Sequence, residues 1–131
     1  MWTIVIINHQ SIVIFSFNYG GVALRVFISQ PMKDKTQDEI IDNIKRLKNK
    51  LSEKYDEEIF IIPSYDPANK LSSVPLACLG QSLILLSTAD LVYFSSGWNK
   101  ARGCRIECMC ALEYGIKTEF EDDICEDFMQ E

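Results

Sequence analysis

The stretch DLVYFSSGWNKARGCRIECMCALEYGIKTEF, Asp90–Phe120, decides how this chain folds. Asp90–Phe94 reads as a short buried strand, because four apolar residues run together behind one carboxylate. SSGWNKA is a polar exit loop with Gly97 as its turn signal. Gly103–Tyr114 carries a helical pattern, and Gly115 stands at the position where glycine ends helices. IKTEF then predicts a last strand, placed at a sheet edge. Strand, helix and strand joined by short connections make a βαβ unit, and its crossover forces the two strands to be parallel.

The same unit repeats upstream. RVFIS (Arg25–Ser29) predicts a buried strand that stops at Gln30-Pro31. TQDE (Thr36–Glu39) has capping-box spacing, so Thr36 opens a helix. That helix puts Ile40, Ile41, Ile44, Leu47 and Leu51 on one face and ends near Tyr55. EIFIIP (Glu58–Pro63) is a second strand, closed by proline. After a polar loop, Leu76, Leu79, Leu83 and Leu86 recur at helical spacing around Gly80. The alternation predicts an α/β protein: a three-layer α/β/α domain around a parallel, flavodoxin-like (Rossmann-like) sheet of four to five strands.

The chain has 131 residues, 47% of them hydrophobic, enough for one domain with a substantial core. Its net charge of −6 is concentrated at one end. Seven acidic residues follow from Glu119 onward, leaving 12 acidic against 13 basic residues before it. A near-neutral body gives no nucleic-acid footprint. We expect a domain over residues 24–120 and a solvated acidic tail over residues 121–131. Residues 1–23 are apolar but interrupted by Asn8, His9, Gln10 and Asn18, which argues against a membrane span. Without a basic leader they do not form a secretory signal, and a cytoplasmic protein is expected. Two readings stand: a β-hairpin of Ile4–Ile7 with Ile12–Phe17, or translated upstream sequence, with Gly20-Gly21-Val22 encoded by a ribosome-binding stretch and Leu24 as the start.

In a doubly wound sheet, ligands bind beyond the carboxyl ends of the strands. The loops at Ser29–Thr36, Pro63–Pro75 and Ser95–Gly103 are therefore the candidates. Glu107 lies in the first turns of the helix that follows the last of them, where a carboxylate can attack or stabilise a sugar-like cation. Its alternative role is capping or ion pairing. Gly103 lets a ligand approach free helix amides, and Arg102 adds a planar cation suited to phosphate or carboxylate. Trp98 can stack on a base or anchor its loop. Ser29 and Gln30 can hydrogen-bond a base or ribose, with Pro31 fixing the turn, and Asp90 either turns the chain or joins the site. Cys104, Cys108 and Cys110 lack CxxC spacing and a nearby histidine, so they read as small packing residues, and neither metal nor cofactor is expected.

VFISQPM, LLSTADLVYFSSGW and ARGCRIECMCALEYGIK together resemble a family of unknown function from bacteria and their phages, which in turn is similar to the nucleoside 2-deoxyribosyltransferases. The likeness spans Arg25–Thr118. It aligns Ile28-Ser29-Gln30-Pro31 with the transferases' first-strand turn, Asp90 with their third-strand aspartate and Glu107 with their nucleophile. It implies attack on the anomeric carbon of a nucleoside or nucleotide, release of the base, and a homo-oligomer. Departures are Ser95-Ser96 where the transferases carry an acidic residue, Met109 in place of a glycine, and a longer exit loop with Trp98, Lys100 and Arg102 added; Ser95, Ser96 and Gly97 of that loop are expected to line the ligand. With Arg102 and Arg105, these suggest an anionic substrate. The alternative they leave open is a nucleotide-binding protein without catalysis.

Overall fold

A computed structural model describes residues 23–69 and 73–122 in full, and residues 2–8 and 11–17 as strands. Strands β1 (Trp2–Asn8) and β2 (Ser11–Phe17) pair antiparallel as a separate two-stranded sheet, with Trp2 opposite Phe17. This is the pairing that the first of the two readings of this segment predicts, with both strands longer than their apolar runs.

The domain follows as β3 (Leu24–Ser29), α1 (Gln37–Lys54), β4 (Ile59–Ile61), α2 (Pro75–Leu86), β5 (Leu91–Phe94), α3 (Arg102–Glu113) and β6 (Lys117–Phe120). The sheet order is β4-β3-β5-β6 and every pairing is parallel. This is a three-layer α/β fold with the flavodoxin-like winding. Its order reverses between β3 and β5, which makes their carboxyl ends the switch point. β6 lies at the edge, as its mixed composition predicts. Among the described residues, no helix is long and apolar enough to cross a membrane.

Strand alternation builds the two cores. Val26, Ile28, Leu91 and Tyr93 face α1 and pack with Leu47, Leu51 and Ile59. Phe27, Val92 and Phe94 face the other way and pack with Leu86, Trp98, Cys104, Cys108 and Ala111. Burying each Leu or Phe of this kind contributes roughly 1.5–3 kcal/mol. α1 starts where its capping box requires: Thr36 Oγ1 accepts from the Glu39 amide at 3.2 Å, and the Thr36 amide donates to Glu39 Oε2 at 2.6 Å. Gly115 follows α3 with φ of 69°, the left-handed turn that only glycine adopts without strain.

Two expectations need correction. Leu76 does not join the α2 core face: it is 77% exposed, because it stands in the first turn after Pro75, while Leu86 at the far end is buried. The start of the acidic tail, the only part of it among the described residues, is not solvated: like Glu119 of β6, Glu121 is held. Glu119 accepts from Tyr55 and Lys54, and Glu121 takes both Nη atoms of Arg46 at 2.6 and 2.9 Å. β6 runs alongside β5, so its end passes the basic face of α1, and that register recruits these carboxylates.

Candidate functional site

Four polar or charged side chains are buried among the described residues: Ser29, Gln30, Ser95 and Glu107. Their positions follow from the chain path. Ser29 ends β3, Gln30 follows it, and Ser95 follows β5, so all three sit at the switch point. The Ser95 amide donates to the Ser29 carbonyl at 2.9 Å, which extends the β3–β5 ladder by one bond. Alternation then divides them. Ser29 points with Phe27 toward α3, whereas Gln30 and Ser95 point with Ile28 and Tyr93 toward α1.

Glu107 enters from α3. Cys104, Glu107, Cys108 and Ala111 recur at i, i+3, i+4 and i+7 and form the inward face of that helix. The small cysteines and alanine let α3 lie close to the sheet, and the one long side chain among them reaches the strand ends. There the Ser29 hydroxyl donates to Glu107 Oε1 at 3.3 Å. Only 8% of Glu107 is exposed. Burial pushes its carboxyl up from 4.5 to about 7, with the Ser29 hydrogen bond opposing. Oε2 has no hydrogen-bond donor among the described residues, and it is not sealed from solvent either. A Cβ at Gly103 would meet no other atom within 4 Å, so no side chain packs against that position.

This placement corrects the picture of a helix-start carboxylate. α3 begins at Arg102, which makes Glu107 its sixth residue, beyond the turn where the macrodipole acts. Burial dominates, and it raises the carboxyl rather than lowering it. A carboxyl balanced near neutrality can exchange a proton and, once ionised, attack or stabilise a cation.

The two loops beside it are tied down. The Ser96 amide donates to Glu121 at 3.1 Å, the Ser96 hydroxyl to Asp122 at 2.7 Å, and the Gly97 amide to Asp122 at 3.3 Å. Gly97 takes φ of 81°, and a Cβ there would lie 3.7 Å from Pro31, so the β3 and β5 exit loops meet. Two carboxylates thus reach the β5 exit loop from the end of β6, a contact that only the sheet register creates.

Other expected site residues lie elsewhere. Trp98 is 2% exposed and packs against Phe94 and Phe120, with ring centroids 5.3 and 5.1 Å away; it anchors the loop and offers no stacking face. Asp90 precedes β5, at the amino ends of the strands, where it accepts from the Arg25 amide at 2.9 Å; the length of the strand separates it from Glu107. Arg105 is two residues from Glu107, about 200° around the helix, and donates to the Asn99 carbonyl at 3.4 Å. Arg102 is exposed at the start of α3, about 140° around the helix from Glu107. Neither arginine meets the carboxylate. Cys104 and Cys108 are core residues whose thiols burial pushes up to about 11, far from the thiolate a ligand or nucleophile needs.

One residue escaped the sequence reading. Asn43 of α1 donates from Nδ2 to Gln30 Oε1 at 2.9 Å and to Ser95 Oγ at 3.0 Å. Its signal was available: Asn43 stands within the inward stripe of Ile40, Ile44 and Leu47, where an apolar residue is expected. Comparison of the chain with protein-family models, with curated proteins and with solved structures returned no match.

Proposed function

We propose that this protein acts on the N-glycosidic bond of a nucleoside or nucleotide, with Glu107 as the carboxylate facing the anomeric carbon. The observation that carries this reading is a buried carboxyl at the switch point, held on one oxygen by Ser29, open on the other and balanced near neutral pH. A glycosidic bond breaks through an oxocarbenium-like cation, and a desolvated carboxylate stabilises such a charge more strongly than a solvated one. Ser29 holds Oε1, so Oε2 is the atom that meets the sugar. The ionised fraction of Glu107 attacks the anomeric carbon, the base leaves with the C–N electron pair and takes up a proton, and water or a second base releases the sugar. The Nε2 of Gln30, without an acceptor among the described residues, suits a ligand that offers an oxygen acceptor.

The second reading is a nucleotide-binding protein that does not catalyse. It is favoured by the occupation of the neighbouring carboxylates: Arg46 and the Ser96 amide take Glu121, while Ser96 and Gly97 take Asp122, leaving neither oriented as a second catalytic group. One experiment separates the two. The protein is incubated with nucleosides and their 5′-monophosphates, and free base is measured by chromatography. The enzyme reading expects base release by the native chain and none by Glu107→Ala. Turnover by the variant would show the role of Glu107 to be wrong, and binding without release would select the second reading.

A further inference from the structure

The polarity of the α1 side of the switch point follows from one residue that can only donate. Arg46 has no hydrogen-bond acceptor. Its Nη1 and Nη2 grip Glu121 at 2.6 and 2.9 Å, and Nη2 also donates to Asn43 Oδ1 at 2.7 Å. Asn43 must therefore turn its oxygen toward Arg46 and its amino group toward the strand ends. Both amino hydrogens are then used, one on Gln30 Oε1 and one on Ser95 Oγ. A flip of Asn43 would set two donors against each other at Arg46 and two acceptors against each other at Gln30. Gln30 is locked in turn, with its oxygen held by Asn43. Its Nε2 has no acceptor among the described residues and is not sealed from solvent, although Gln30 is only 5% exposed. Ser95, accepting from Asn43, keeps its own proton free.

We propose that Asn43 is a positioning residue that fixes Gln30 with its donor toward the ligand and so makes the site selective for a nucleobase bearing an oxo group over its amino counterpart. This rests on the nucleotide reading above. Sugar hydroxyls both donate and accept, and phosphate oxygens accept whatever the base, so neither discriminates. The base edge alone comes in matched versions, oxo as acceptor and amino as donor. A buried donor facing an amino group leaves both unpaired, which is how sites built on hydrogen bonds reject near-isosteres.

Asn43→Asp tests this at nearly constant volume. The new carboxylate still accepts from Arg46, but its second oxygen now faces Gln30. Gln30 turns its Nε2 inward and presents its oxygen to the ligand. Affinities are measured by calorimetry for two matched pairs, inosine and adenosine 5′-monophosphate and uridine and cytidine 5′-monophosphate. The native chain should bind the oxo member about tenfold tighter in at least one pair, and Asn43→Asp should reverse that preference. Gln30→Met, which removes the donor, should erase it and serves if Asn43→Asp fails to fold. Equal affinities in the native chain, or an oxo preference retained by the variants, would overturn the proposal. Side-chain amide exchange by NMR tests the lock without ligand. Asn43 should exchange more slowly than Gln30, and Gln30 should slow in Asn43→Asp; a Gln30 amide protected in the native chain and unchanged in the variant overturns the lock. If exchange behaves as expected and no nucleotide binds, the nucleotide reading fails and the base selectivity with it, while the amide lock stands.

Discussion

Replacing Glu107 by Gln should stabilise the protein at neutral pH, and the gain should depend on pH in a defined direction. The carboxyl titrates at 4.5 when the chain is unfolded and at about 7 when folded, because burial penalises the charge. Between those values the folded state holds a proton that the unfolded state has lost. Stability therefore falls as pH rises from about 4.5 to about 7, and the penalty is complete above that. A gap of this size amounts to on the order of 3 kcal/mol. Glutamine keeps the acceptor for Ser29 and removes the titration. Urea unfolding of both proteins at pH 5, 6, 7 and 8 gives the comparison. The variant should match the native chain within about 1 kcal/mol at pH 5 and exceed it by up to about 3 kcal/mol at pH 8. A difference that is the same at every pH, or a variant less stable at pH 8, would refute the claim that Glu107 is buried at the cost of folding. A side chain that lowers stability where it stands is expected at functional sites, where activity and stability compete.

Glu121 predicts the opposite limb. Its carboxyl is held at about 2, chiefly by hydrogen bonding to Arg46, so its stabilisation is present above pH 4.5 and is lost as pH falls toward 2. Arg46 is half-exposed, which discounts the pair to about 1 kcal/mol; acid titration followed by circular dichroism should show a flatter low-pH limb for Glu121→Gln. Gly97→Ala should cost about 1–2 kcal/mol in urea unfolding, because φ of 81° strains any residue with a Cβ, while the nearest side-chain atom, Pro31 Cγ at 3.7 Å, leaves room.

Elements that form through local interactions were legible in advance. The Thr36–Glu39 box, the stripe of Ile40, Leu47 and Leu51, the glycine stop at Gly115 and the apolar strand LVYF all depend on neighbours within a few residues. Partners from distant segments were not legible. No Lys or Arg follows Glu119, so the sequence predicts a solvated acidic tail, yet Glu121 at its start lies against α1 once β6 takes the edge beside β5. Trp98 and Asp90 carry the right chemistry for a ligand, but one is turned into the core and the other lies at the wrong end of its strand.

By itself, the sequence determined the order of strands and helices, and through it a parallel sheet whose switch point follows from topology. It also placed Glu107 on the same helical face as Cys104, Cys108 and Ala111, since a period of 3.6 residues needs no tertiary information. Only the tertiary structure decided that this face is the buried one. It therefore also decided that the carboxyl is raised by desolvation rather than favoured by a helix end, that Ser29 holds it, and that Asn43 governs Gln30 from another layer. The reason is physical: a side chain's position on its helix is set by the local backbone, but its protonation and its hydrogen-bond polarity are set by whatever the rest of the chain packs around it.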